Sequence, residues 1–269
     1  MHGQSATTLW VWERTFDPKS DFAGSIIHRP ACAEAVGIVN HDLNRAAVEI
    51  TAIQQAHPQA LLLQSVTASA WDGGSYTDCF GKLYTALSFT GPKLGFIAER
   101  QLEAGIIPDA PVVFVPNILH FSDAAMESLR RFKDRLVFVG EGDLFTHDEF
   151  GRLRVVALTG ETMAFRHGST SARALHKQLM TRLPACSLRP AVELRGADQQ
   201  PAWGVEWRSA ATHDGLLVTL CNYRKEPTTV TLTQDEQPGF VRDVLTGALV
   251  HEPLGLSSLE VRLLRFERP

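Results

Sequence analysis

Ala110-Pro-Val-Val-Phe-Val-Pro-Asn117, Ser122-Asp-Ala-Ala-Met-Glu-Ser-Leu-Arg-Arg-Phe132 and Arg135-Leu-Val-Phe-Val139 follow one another along the chain, and their order decides the fold. The first and last hold short, unbroken apolar runs, the mark of strands buried on both faces. Between them Ser122 caps a predicted helix whose apolar positions Met126, Leu129 and Phe132 share one side. Pro116-Asn117 stops the first run, and Gly140-Glu141-Gly142 stops the second. Apolar strands separated by a helix imply a parallel sheet covered on both faces.

The same alternation extends upstream. Ala60 to Val66 is another nearly continuous apolar run, Tyr76 to Phe89 has helical periodicity, and Leu94 to Ala98 reads as a short strand. Ser171 to Thr181 supplies a candidate helix downstream. Residues 58–190 therefore read as a flavodoxin-like α/β domain. At the polar stretch Arg195 to Pro201 the helical periodicity stops. Val205–Ser209, Leu216–Asn222, Thr228–Thr233, Phe240–Asp243 and Leu259–Phe266 are short β-prone runs, separated by turns at Asp214-Gly215, Pro238-Gly239 and Thr246-Gly247. Residues 191–269 read as a small antiparallel β-sandwich. At the other end, Ala6 to Trp12 is a strand emptying into the polar loop Thr15 to Ser25. From Pro30 to Gln55, Val36, Val39, Leu43, Ala47, Ile50 and Ile53 recur at helical spacing, which predicts one amphipathic helix closed by His57-Pro58.

Composition narrows the function classes. The 269 residues are 44% hydrophobic and carry a net charge of -4, with no basic field to hold a phosphate backbone or an anionic membrane surface. Cys32, Cys79, Cys186 and Cys221 form no C-x-x-C pair, so they read as buried thiols of a reducing compartment. The N-terminus lacks a leader pattern and no apolar run approaches ~18 residues, so a cytoplasmic protein is expected.

Three stretches carry a resemblance to a known family. The strand–helix–strand block from Ala110 to Gly142, the phrases Leu216-Leu-Val-Thr-Leu-Cys-Asn-Tyr223 and Asp243-Val-Leu-Thr-Gly247, and the N-terminal Thr8-Leu-Trp-Val-Trp-Glu-Arg14 resemble glycoside hydrolase family 42. These β-galactosidases have a (β/α)8 barrel, an amidotransferase-like trimerisation domain and a C-terminal β domain. The resemblance implies that residues 1–57 hold the last barrel strand and its helix, followed by the other two domains. It further implies β-galactoside hydrolysis, a sugar partner and a homo-oligomer, dimer or trimer, with a separate barrel-bearing chain as a further partner. Retaining members use two carboxylates about 5 Å apart. On the resemblance both lie upstream of Met1, and no motif here carries either of them.

Candidate chemistry gathers at the first strand's end. Trp10, Trp12, Glu13, Arg14 and Asp17 offer aromatic faces, carboxylates and hydrogen-bonding groups, which is what a sugar with apolar faces and a polar rim requires. Glu13 and Asp17 are the catalytic candidates, and Trp10, Trp12 and Arg14 the substrate-binding ones. The bland alternative packs one tryptophan in a core and pairs Glu13 with Arg14. Asp72, Tyr76 and Asp78 follow a strand of the α/β block, but turn formation at Trp71-Asp-Gly-Gly74 explains them without function and is the preferred reading. Cys79 lies in the wrong context for an amidotransferase nucleophile. Glu141, Asp143, His147, Asp148 and Glu149 have metal-ligand atoms without ligand spacing, so no metal is assigned. No Gly-rich phosphate loop opens a helix, and no cofactor is expected. Three readings stay open: the non-catalytic oligomerisation or sugar-binding half of a glycosidase, a small working glycosidase built on Glu13 and Asp17, and a ligand-binding protein using the flavodoxin-like edge.

Overall fold

The computed structural model describes residues 29–106, 109–155, 158, 160–234 and 240–267. Among these, seven α-helices form: α1 (Pro30–Arg45), α2 (Ala47–Gln55), α3 (Val66–Trp71), α4 (Gly73–Ser88), α5 (Glu99–Glu103), α6 (Asp123–Leu129) and α7 (Ala172–Arg182). Strands β1 (Ala60–Gln64), β2 (Leu94–Ala98), β3 (Val112–Pro116), β4 (Leu136–Gly140) and β5 (Thr162–Ala164) make a parallel sheet ordered β2-β1-β3-β4-β5. This is the flavodoxin-like order, with its switch point between β1 and β3. The three-residue strand β5 is too short to leave a sequence pattern.

The strands are apolar throughout because each feeds two cores. Leu61, Leu63, Val113, Val115 and Phe138 join the cluster that holds Leu102 of α5 and Met126 and Leu129 of α6. Ala60, Leu62, Val112, Phe114, Val137 and Val139 join the one that holds Leu83 of α4 and Leu175 and Leu179 of α7. Each such leucine, taken fully out of water, contributes roughly 1.5–3 kcal/mol. Ser122 caps α6 as expected, its hydroxyl accepting from the Ala125 N–H at 3.3 Å.

Two antiparallel sheets follow. One is ordered β10 (Phe240–Asp243), β12 (Val261–Glu267), β8 (Gly215–Asn222), β7 (Val205–Thr212); the other is β11 (Leu254–Leu256), β9 (Thr228–Gln234), β6 (Val192–Gly196). Val192, Leu194, Trp207, Val218, Leu220, Val230 and Leu264 fill the space between them, and Trp207 Nε1 donates across it to Val192 O at 2.8 Å. The chain is therefore an α/β domain followed by a β-sandwich. β6 and β11 escape sequence reading because each contributes only two inward residues.

The single helix expected over Pro30 to Gln55 is two. The break falls at Ala46, which is buried and has φ -100° and ψ 23°. Past it, Ile53 packs with Ala46 on Ala210, Leu217 and Leu263, the outer side of the four-stranded sheet, and Glu49 pairs with Arg265 at 2.6 Å. No residue of α1 is buried. Lys93, just before β2, reaches the end of α2 and donates from Nζ to Ile53 O (3.0 Å), Gln54 O (2.5 Å) and Ala56 O, placing a cation where helix carbonyls lack partners. Glu206 and Arg208, both buried, form a pair at 2.9 Å, and Arg208 Nη1 donates to Pro92 O at 3.2 Å and Ser88 O at 3.4 Å. That pair fastens the sandwich to the segment between α4 and β2.

The cysteines differ from expectation: all four are free, but Cys79 alone is buried and Cys32 is exposed. Among the described residues no helix is long and apolar enough to cross a membrane.

Candidate functional site

Trp10, Trp12, Glu13, Arg14 and Asp17 lie outside the described residues. What the structure does build is the carboxyl edge of the parallel sheet, where open α/β sheets place their ligands. Asp72, between α3 and α4, turns its carboxylate across the switch point. Its Oδ2 accepts from the backbone N–H groups of Leu119 and His120, both at 3.1 Å, and its Oδ1 accepts from His120 Nδ1 at 2.6 Å. The turn reading of Asp72 accounts for its backbone and misses these bonds to residues 47 and 48 positions away. His120 stacks between Trp71 (ring centroids 5.0 Å apart) and His147 (4.6 Å). Trp71 Nε1 in turn donates to Glu149 O at 3.1 Å, closing the column.

The neighbouring polar groups are engaged as fully. Glu99, buried at the end of β2, accepts from Ser65 Oγ (2.7 Å) and Thr67 N (3.1 Å) on one oxygen and from Ser122 N (2.8 Å) on the other. Tyr76 accepts from Ser65 N at 2.8 Å; burial pushes its phenol up to about 12. Asn117, at the end of β3, has φ 25° and donates to Ser75 Oγ at 2.6 Å while accepting from Glu141 N at 3.2 Å. A sharp strained turn after a central strand is where a hydrolase can raise a nucleophile, and here it holds an amide tied down on both ends. Cys79 donates to Val139 O at 3.4 Å, and burial pushes its thiol well up, so it is a packing thiol. Asp78 instead faces Lys82, His167 and Gly168 near the surface.

An imidazole oriented by a carboxylate is half of a nucleophile-activating arrangement. Among the described residues no hydroxyl or thiol pairs with the His120 ring, so the arrangement braces the edge. The acidic loop behaves likewise. Asp148 Oδ1 accepts from Phe150 N and Arg152 N in its own turn, and Glu149 accepts from Asp123 N. Carboxylate oxygens of Asp123, Asp148 and Glu149 do gather within 4.8 Å, but Arg154 already pairs with Asp123 at 2.6 Å. His147, stacked on His120, turns to Thr146 Oγ1 at 2.9 Å. Sequence reasoning named Asp72 and His147 but missed Trp71, His120 and Glu99 as members of one edge, because they come from four separate connections.

No protein-family model matches the sequence, and no curated protein matches it. Solved structures do. The apo exo-carrageenase GH42 from Bacteroides ovatus matches over 92% of this chain and 34% of its own, with a TM-score of 0.74 and 20% identity. A catalytic mutant of Gan42B, a GH42 β-galactosidase from G. stearothermophilus, matches over 96% and 48%, with TM-score 0.67 and 12% identity. The fold is that of the C-terminal part of GH42 enzymes. The β-galactosidase from Bacillus circulans sp. alkalophilus agrees, at 95% and 48% coverage, TM-score 0.64 and 14% identity. The chain thus spans between a third and a half of these structures, and more than half of each has no counterpart in it.

Proposed function

We propose that the chain is part of a β-galactosidase-related glycoside hydrolase, with the Trp10 to Asp17 loop handling the sugar and the two folded domains supporting it in an oligomer. The observation that carries this reading is the structural match to GH42 enzymes, which covers 92% of this chain in one of them and 96% in another. The chemistry assigns Glu13 and Asp17 as the acid–base and nucleophile candidates and Trp10, Trp12 and Arg14 as the sugar contacts. A chromogenic β-galactoside tests it. Hydrolysis by the purified chain that falls ~100-fold or more in Glu13→Gln or Asp17→Asn, the scale general acid–base groups supply, supports an active site in that loop.

A second reading has its own support. The two buried carboxylates of the carboxyl edge, Asp72 and Glu99, are both spent on protein donors. They have no remaining role in a retaining pair, which favours a non-catalytic oligomerisation or sugar-binding half. Under that reading turnover stays at the buffer level in the chain and both variants.

A further inference from the structure

Between α7 and one end of the sandwich runs an open cleft of about 1490 Å³. That exceeds the ~300–1,000 Å³ that encloses a drug-sized molecule, and suits an extended chain of units better than a single small ligand. Trp203 lines it and is held in place: Phe89 meets its ring edge-on at 4.9 Å and His176 at 5.2 Å. Its indole N–H has no partner among the described residues. A braced, partly exposed indole is a platform for the apolar face of a sugar ring.

The charges around this ring are unbalanced in one direction. Arg173, Lys177, Arg224 and Arg262 line the cleft against only Asp198 and Glu260, in a chain whose net charge is -4. Both carboxylates are turned to protein donors. Asp198 Oδ1 accepts from Gln200 N at 3.0 Å, while Glu260 accepts from Ser257 N at 2.6 Å and pairs with Arg262 at 2.6 Å. Arg262 is consumed by that pair and by Asp243 at 3.0 Å. Arg173 and Lys177, by contrast, are exposed and have no carboxylate partner among the described residues. They stand four residues apart on α7, where like charges repel each other by a few tenths of a kcal/mol. Arg224, across the cleft, meets Glu226 only at 3.7 Å and donates to Thr228 Oγ1 at 3.2 Å.

We propose that this cleft binds an anionic oligosaccharide, with a sugar ring on Trp203 and its sulfate groups on Arg173, Lys177 and Arg224. The choice of a galactan backbone rests on the proposed function; the charge preference rests on the cleft alone. Isothermal titration calorimetry of the full chain with a sulfated galactan oligosaccharide, a neutral galactan oligosaccharide of equal length and sodium sulfate tests it. The sulfated oligosaccharide binds at least tenfold more tightly than the neutral one, and the Arg173→Gln/Lys177→Gln pair and Trp203→Leu each weaken it about tenfold. Arg130→Gln, a surface cation on the sheet's other side, leaves it unchanged. Equal affinity for both oligosaccharides, indifference to the cleft variants, or displacement of the oligosaccharide by sulfate at matched concentration overturns the proposal. Binding without any β-galactoside hydrolysis upholds the cleft while removing the loop active site, and hydrolysis without this binding does the reverse.

Discussion

Burial holds the His176 imidazole below its ordinary value of 6.5, against the opposing hydrogen bond from its Nε2 to Phe89 O at 2.8 Å. A base depressed in the folded state binds protons more readily when unfolded. Its contribution to stability is therefore complete above about pH 6.5 and drains away as pH falls below that value. Thermal unfolding midpoints of the chain and of His176→Gln, which keeps a donor for Phe89 O, should run parallel above pH 7. They should converge as pH drops from 6.5 towards 5; parallel curves throughout would show that protonation of His176 is not coupled to folding. The phrases around Asn222 and Asp243, which in the sequence carried only a family resemblance, prove in the structure to be local closures. Asn222, fully buried, donates to Glu226 O and Ser257 O and accepts from Arg224 N. Asp243 accepts from Leu245 N and Thr246 N and pairs with Arg262; burial alone would raise its carboxyl, and those donors hold it below the usual range. By contrast, nothing in the sequence joins Asp72 to His120, 48 residues apart, because only the sheet brings those two connections together.

At the element scale, the paired apolar positions of α1 and α2 announced a helix but not its break. Periodicity records which side of a helix is apolar; it does not record that the surface beneath ends at Ala46. The same limit hid the junction between the two domains. Glu206 and Arg208 occupy alternate positions of β7, a pattern shared with any solvated strand face, and both are buried. Replacing one partner leaves the other charge uncompensated in a dry site, which costs about 3–5 kcal/mol, whereas replacing both with apolar groups of similar volume costs far less. Arg208→Met should thus lower the urea midpoint strongly, and Glu206→Leu/Arg208→Met should recover most of the loss. Equal losses in both variants would mean that the backbone bonds to Ser88 and Pro92 matter and the charge pairing does not.

At the scale of the molecule, α1 leaves Ile38, Val39 and Leu43 about half exposed, and Val48 at the start of α2 is 79% exposed. Apolar surface of this kind on a helix is expected to be covered by association. Light scattering at micromolar concentration should give a mass that is a multiple of 29.6 kDa, and a strict monomer would remove the oligomeric part of the proposed function. The alternation of apolar strands and helices, followed by short β-prone runs, was enough by itself to determine a flavodoxin-like domain and a sandwich. Burial on two faces forces a continuous apolar strand, and burial on one forces alternation, so both leave their record in local order. The tertiary structure alone decided the strand order, the docking of α2 on the sandwich, the closed polar edge at Asp72, His120 and Glu99, and the cationic cleft at Trp203. Each depends on residues distant in the chain, whose mutual attraction or repulsion acts only once the backbone has placed them within a few ångströms.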